Sequence, residues 1–194
     1  MCGIGCIIGS EDSLKNDEER LIQASMNRGP DYSSSLAIKI NEEPNDKEIF
    51  GKNCNFFASV LHIRGKVMQK QPVVDKDQNI LMFNGEVFGG LQVGEEESDT
   101  ERVSEVLQKG DLISTLQGIS GPFALIYFKK SEQRIYFAKD RLGRRSLLLL
   151  QQSERWIISS TCEGIESENW REVAPTGIHF IQFKSGTAPT IRHI

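Results

Sequence analysis

The chain has 194 residues, 38% of them hydrophobic and 26% charged, with a net charge of −4. That length and balance describe an ordinary soluble globular protein with room for a proper core. The mild acidity gives no hint of the basic face that nucleic acid or an anionic membrane requires, and the longest aliphatic run, Leu147–Leu150, falls far short of a membrane-spanning helix.

In chain order, Cys2–Ile8 is apolar and reads as a strand ending at Gly9-Ser10. Leu14, Leu21, Ile22 and Met26 recur at helical spacing, which predicts an amphipathic helix over Asp17–Met26. Arg28-Gly29-Pro30-Asp31 stops it, because glycine and proline favour turns. Ser34–Ile40 alternates as a half-buried strand does, Asn41–Lys47 is a polar loop, and Phe56–Ile63 and Ile80–Phe83 are apolar enough for central strands. An acidic, turn-rich loop over Gly94–Thr100 precedes a helix expected at Thr100–Gln108 and a helical turn at Asp111–Leu116. Strands then dominate, at Phe123–Phe128, Arg134–Lys139, Ser146–Leu150, Trp156–Ser160 and Ile178–Phe183. Without repeats or linkers, residues 1–194 read as one α+β domain with two sheets packed face to face and helices outside.

The four cysteines, Cys2, Cys6, Cys54 and Cys162, are too sparse for a disulfide scaffold. A reducing, cytoplasmic setting is expected. Cys2 and Cys6 lack a second ligand pair of zinc spacing among His62, His179 and His193, so neither metal nor cofactor is expected. The apolar start has no basic residue before it, and Glu11 and Asp12 follow at once, so it makes a poor signal peptide.

Cys2 is either a cysteine simply buried in an apolar N-terminal strand or a candidate nucleophile. Once Met1 is removed, thiol and α-amine share one residue, supplying nucleophile and base together. Their ordinary pKa values, about 8.5 and about 7.7–8.0, make proton exchange between them nearly isoenergetic. Asn84-Gly85-Glu86 follows an apolar strand, so a carboxamide and a bare backbone amide stand where an oxyanion needs two fixed donors; the same pair is also a strong turn signal. Arg64 leaves another apolar strand and can clamp a carboxylate. Asp99 can receive an ammonium or cap a helix. Carboxylate, ammonium and an amide carbonyl are the three needs of glutamine, and Arg64, Asp99 with Glu86, and Asn84 with Gly85 match them.

The order of these motifs resembles the class II glutamine amidotransferases, an N-terminal-nucleophile family, and within it the amidotransferase half of asparagine synthetases. The pieces are Met1-Cys2-Gly3-Ile4, Arg28-Gly29-Pro30-Asp31, His62 with Arg64, Gln71-Pro72, Asn84-Gly85-Glu86, Ser98-Asp99-Thr100-Glu101, Gly121-Pro122-Phe123-Ala124 and Asp140-Arg141-Leu142-Gly143-Arg144-Arg145-Ser146-Leu147. The resemblance implies a four-layer αββα sandwich, Cys2 as nucleophile, Asn84 and Gly85 as oxyanion hole, and Arg64, Glu86 and Asp99 holding the amino-acid end of L-glutamine. It also implies a synthetase domain or chain that accepts the ammonia. Asn27 stands where asparagine synthetases usually have histidine, and Gly65 where they have leucine. No Ser-Gly-Gly loop for adenylating aspartate occurs in these residues. The competing readings are a catalytically silent interaction or regulatory domain with the same fold, and an amidotransferase serving a sugar phosphate or nucleotide precursor.

Overall fold

The structure, a computed structural model, describes residues 1–9, 11–40, 53–153, 155–183 and 189–194. The polar loop expected over Asn41–Lys47 lies outside the described residues. Two six-stranded antiparallel sheets form the centre. The first runs in the order β10 (Arg171–Glu172), β8 (Leu148–Gln151), β9 (Arg155–Ser159), β1 (Gly3–Gly9), β3 (Asn53–Val60) and β2 (Tyr32–Lys39). The second runs β12 (Thr190–His193), β11 (His179–Gln182), β7 (Arg134–Lys139), β6 (Phe123–Lys129), β5 (Ile80–Gly85) and β4 (Val73–Val74). Helix α1 (Glu11–Met26) covers the outer face of the first sheet, and α2 (Asp99–Lys109) and α3 (Leu112–Gly118) cover that of the second. This is the expected α+β sandwich of four layers, αββα.

Period-two alternation builds the layers. Ile4, Cys6 and Ile8 of β1 and Ile80 and Met82 of β5 point between the sheets, where they meet Phe56, Ile126 and Phe137. The intervening Ile7 packs with Leu21 and Phe57 under α1, while Leu81 and Phe83 pack with Val103 and Leu107 under α2. Because both faces of these strands are covered, they read in the sequence as unbroken apolar runs.

Several boundaries differ from expectation, among them those of α1 and β3. Helix α1 begins at Glu11 rather than Asp17, and its later turns pack through buried Leu21 and Ala24, where the apolar periodicity marks it. Strand β3 stops at Val60 rather than Ile63. The Asp31 N–H donates to Val60 O at 3.0 Å, and the Asp31 carboxylate accepts from the His62 N–H at 2.8 Å, so the turn before β2 ends the ladder. Gly29 makes that turn possible, since a Cβ there would stand 2.3 Å from Ser59 O.

Candidate active site

Alternation sets the site. Continued one residue before β1, the inward series Ile4, Cys6, Ile8 reaches Cys2; continued to the end of β5, Ile80 and Met82 lead to Asn84. Both residues therefore belong to the inter-sheet side at the same open end of the sandwich. There they line one cleft of about 50 Å³ with Gly85, Glu86, Arg64, Asp99 and Arg145. A larger cavity of about 200 Å³ beside α3, lined by Ile113, Leu116 and Ile178, has no cysteine, serine or threonine among the described residues that line it. Cys6 and Cys54 are buried in the core and Cys162 is exposed. Among the described residues, no group of three His, Cys, Asp or Glu side chains is placed to hold a metal.

Asn84 and Gly85 are not a hairpin turn. Both lie within β5, opposite Ala124 and Phe123 of β6. A Cβ on Gly85 would come within 2.6 Å of both Phe123 Cβ and Pro122 O, so only glycine fits there. The strand end is held by buried Gln71, whose carboxamide accepts from the Phe83 N–H at 2.7 Å and donates to Phe83 O at 3.1 Å. Gln71 thus completes the ladder beside Asn84 as a neighbouring backbone would. The Asn84 side chain is 1% exposed, and its Nδ2 has no hydrogen-bond partner. An unpaired buried donor costs about 1–3 kcal/mol, which marks the position as one kept for something other than stability.

Cys2 is partly buried, its Sγ 3.9 Å from Leu61 O. Burial pushes its thiol pKa up, against the opposing pull of the chain's amino terminus, Arg145 and Arg28. The Arg28 Nε donates to Cys2 O at 3.4 Å, tying the turn after α1 to the start of β1. With its pKa raised, the thiol stays protonated at neutral pH and needs a base to react.

The opposite end of the cleft is charged and paired. The Arg64 guanidinium donates to Asp99 Oδ1 at 3.1 Å, to Val87 O at 3.2 Å and to Val93 O at 3.3 Å. The N-cap of α2 is Ser98, whose hydroxyl accepts from the Glu101 N–H at 3.0 Å, so Asp99 is free of capping and faces the cleft. Its carboxylate accepts from the Val87 N–H at 3.2 Å. Burial, helped by the Glu86 charge, still raises its pKa above the ordinary carboxylate value, outweighing Val87 and Arg64. Glu86 is met by Arg145, whose Nη2 donates to Oε1 at 2.6 Å.

Cys2, Asn84, Gly85, Arg64, Glu86 and Asp99 thus share one cleft. Arg145 is a charged cleft residue that the motif reading left without a site role. In the sequence it stands in a basic cluster, and only the turn that carries it shows where it goes. Gly65 adopts a φ of +95°, and the following Lys66 N–H donates to Glu96 O at 3.0 Å. A leucine there would be strained.

Comparison with known proteins identifies the family and the fold. A family model for the glutamine amidotransferase domain matches residues 59–167, more than half of the chain, spanning Arg64, Asn84, Asp99 and Arg145 but not Cys2. Asparagine synthetase domain-containing protein 1 of Bos taurus is 32% identical over 96% of this chain, and that of Homo sapiens 33% identical over 95%. The chain spans 29% of the length of each of these relatives. Glutamine phosphoribosylpyrophosphate amidotransferase from B. subtilis, solved with ADP and GMP, has the same fold, with a TM-score of 0.63 at 15% identity over 99% of this chain and 49% of that one. The allosteric regulatory enzyme of purine biosynthesis aligns likewise, with a TM-score of 0.66 at 15% identity over 99% of this chain and 49% of that one. Among the described residues no helix is long and apolar enough to cross a membrane.

Proposed function

Since the chain belongs to the glutamine amidotransferase domain family, we propose that it hydrolyses L-glutamine to L-glutamate and ammonia through Cys2. The observation that carries this reading is the buried, unpartnered Nδ2 of Asn84 in the cleft that also holds the thiol. An oxyanion hole consists of donors fixed in place before charge develops.

In the proposed mechanism, removal of Met1 frees the Cys2 α-amine, which takes the thiol proton as sulfur bonds to the side-chain carbonyl carbon of glutamine. The carbonyl oxygen becomes an oxyanion held by Asn84 Nδ2 and the Gly85 N–H. The ammonium form of the amine returns its proton to the leaving nitrogen, the C–N bond breaks, and ammonia departs. Water, deprotonated by the same amine, then cleaves the thioester and releases glutamate. Arg64 receives the α-carboxylate, and Asp99 with Glu86 the α-ammonium. The ammonia passes to a synthetase domain or chain, in keeping with the names of the relatives, which point to asparagine formation. A cytoplasmic setting suits a nucleophilic cysteine and the free thiols.

Glutamate release by wild-type protein and by Cys2→Ala, with the N-terminus checked by intact mass, tests the reading. Loss of a nucleophile removes on the order of 10³-fold of rate or more, and retained Met1 has the same effect by acylating the amine. Equal release from wild type and Cys2→Ala would refute it. The small cleft and its paired recognition charges favour one alternative, a silent glutamine-binding domain. Thermal stabilisation by glutamine without turnover would establish that alternative instead.

A further inference from the structure

The turn after β7 reaches into the cleft through a set of tethers that touch both sheets. Its anchor is Asp140, buried to 4% exposure. The Asp140 carboxylate accepts from the N–H groups of Phe123, Leu142 and Arg144 at 3.0–3.1 Å and from Arg144 Nε at 3.0 Å. Phe123 opens β6, and its neighbour Pro122 accepts the Glu86 N–H at 3.0 Å, so one strand end fixes both the turn and Glu86. On the other side, the Ser146 hydroxyl donates to Ser160 O at 2.8 Å. Ser160 in turn exchanges hydrogen bonds with Ile4, two residues from Cys2.

Arg145 lies between these anchors. It is largely buried, with its side chain 16% exposed, it contacts Glu86 at 2.6 Å, and its Nε has no partner. A guanidinium held so firmly, with one donor spent on a carboxylate and another left unpaired, is costly for stability alone. Arg28 adds to the cost, because its own Nη2 is unpartnered and the charge of Arg145 helps lower its pKa, after burial.

We propose that Arg145 is a positioning residue with two targets in the cleft it lines: it fixes the Glu86 carboxylate, and its charge favours the thiolate of Cys2, which lines the same cleft. The Glu86 half rests on the glutaminase reading, since it concerns the ammonium of glutamine. The thiolate half does not, because it concerns a property of Cys2 alone.

The experiment separates the halves. Protein with Met1 removed is alkylated with iodoacetamide across pH, with the Cys2 adduct followed by mass, and glutamine KM and kcat are measured in parallel. Arg145→Gln is expected to raise the pH midpoint of Cys2 alkylation by about half to one unit, the effect of one nearby charge in partly wet protein. KM is expected to rise about tenfold, equivalent to one lost charged contact. Arg145→Lys keeps the charge and is expected to restore the midpoint and part of KM. If Arg145→Gln does not fold, the swap of Glu86→Arg with Arg145→Glu keeps an ion pair while placing negative charge beside Cys2, and its midpoint is expected to rise further. A midpoint unmoved in the folded uncharged or swapped variant would overturn the proposal. A shifted midpoint in a protein that turns over no glutamine would uphold the thiolate half and refute the glutaminase reading.

Discussion

The two ends of the cleft satisfy their polar groups in opposite ways. Around Cys2, Asn84 Nδ2 is buried without a partner, and the thiol has only a 3.9 Å contact to Leu61 O. At the recognition end, Arg64 is paired with Asp99 at 3.1 Å and Arg145 with Glu86 at 2.6 Å. The difference teaches what each end must do when a ligand arrives. The end that holds Cys2 is built on strand termini held by Gln71 and Gly85, so its donors are in place beforehand, and on the proposed function they gain a partner only when an oxyanion forms. On the proposed function the recognition end instead exchanges partners: the α-carboxylate of glutamine would compete with Asp99 for Arg64, and the ammonium with Arg145 for Glu86. Both pairs line a cleft of about 50 Å³, and on the proposed function ligand entry separates them.

The sharpest way to break this contrast is Asn84→Ala. If Asn84 acts only as charge develops, kcat falls about 10²–10³-fold while KM hardly moves. A mutant that raises KM and spares kcat would assign Asn84 to the recognition end, and steady-state kinetics decides between them.

Acidification tests the other end. The raised pKa of Asp99 means that its carboxyl takes up a proton at higher pH than a free aspartate does, so the charge proposed to receive the ammonium is present only above that raised value. Glutamine KM is expected to increase about tenfold for each unit of pH below it, and Asp99→Asn to show a high KM without that acid limb. An acid limb unchanged in Asp99→Asn would place the titration elsewhere.

How much of this was open to sequence reading follows the same division. The central strands were legible because both faces are buried, and Cys2, Asn84 and Gly85 because each stands at a strand end with a chemistry of its own. The two-residue β4 and β10 and the edge strand β12 were not, since they exist by pairing with β5, β8 and β11 rather than by any pattern within themselves. The pairing of Arg64 with Asp99 depends on how β5, the loop after β3 and α2 converge, which no spacing encodes. Arg145 was hidden for the same reason: the Asp140 turn, not its neighbours in the chain, directs it to Glu86.

The smallest expected effect concerns that turn. In Asp140, burial alone would raise the pKa, but the hydrogen bonds from Arg144 and the three amides outweigh it and hold the value below the ordinary carboxylate range. Its contribution to stability is therefore complete above the unfolded value of about 3.9 and is lost as pH falls through the lowered one. Asp140→Asn is expected to cost about 1–3 kcal/mol at neutral pH, roughly 2–4 °C of Tm for each kcal/mol in a protein of this size. Thermal melts from neutral to acid pH check it: the gap between wild type and mutant should narrow toward the acid end, and a constant gap would assign the effect to packing alone.

The central claim is that the free thiol of Cys2 faces a glutamine amide already met by Asn84 and Gly85. It is tested most directly by incubating protein of verified N-terminus with an electrophilic glutamine analogue and reading the adduct by intact and peptide mass. One adduct on Cys2, slowed by competing glutamine and much weaker in Asn84→Ala, is the predicted result. Failure to label Cys2, or labelling that glutamine does not slow, would contradict it.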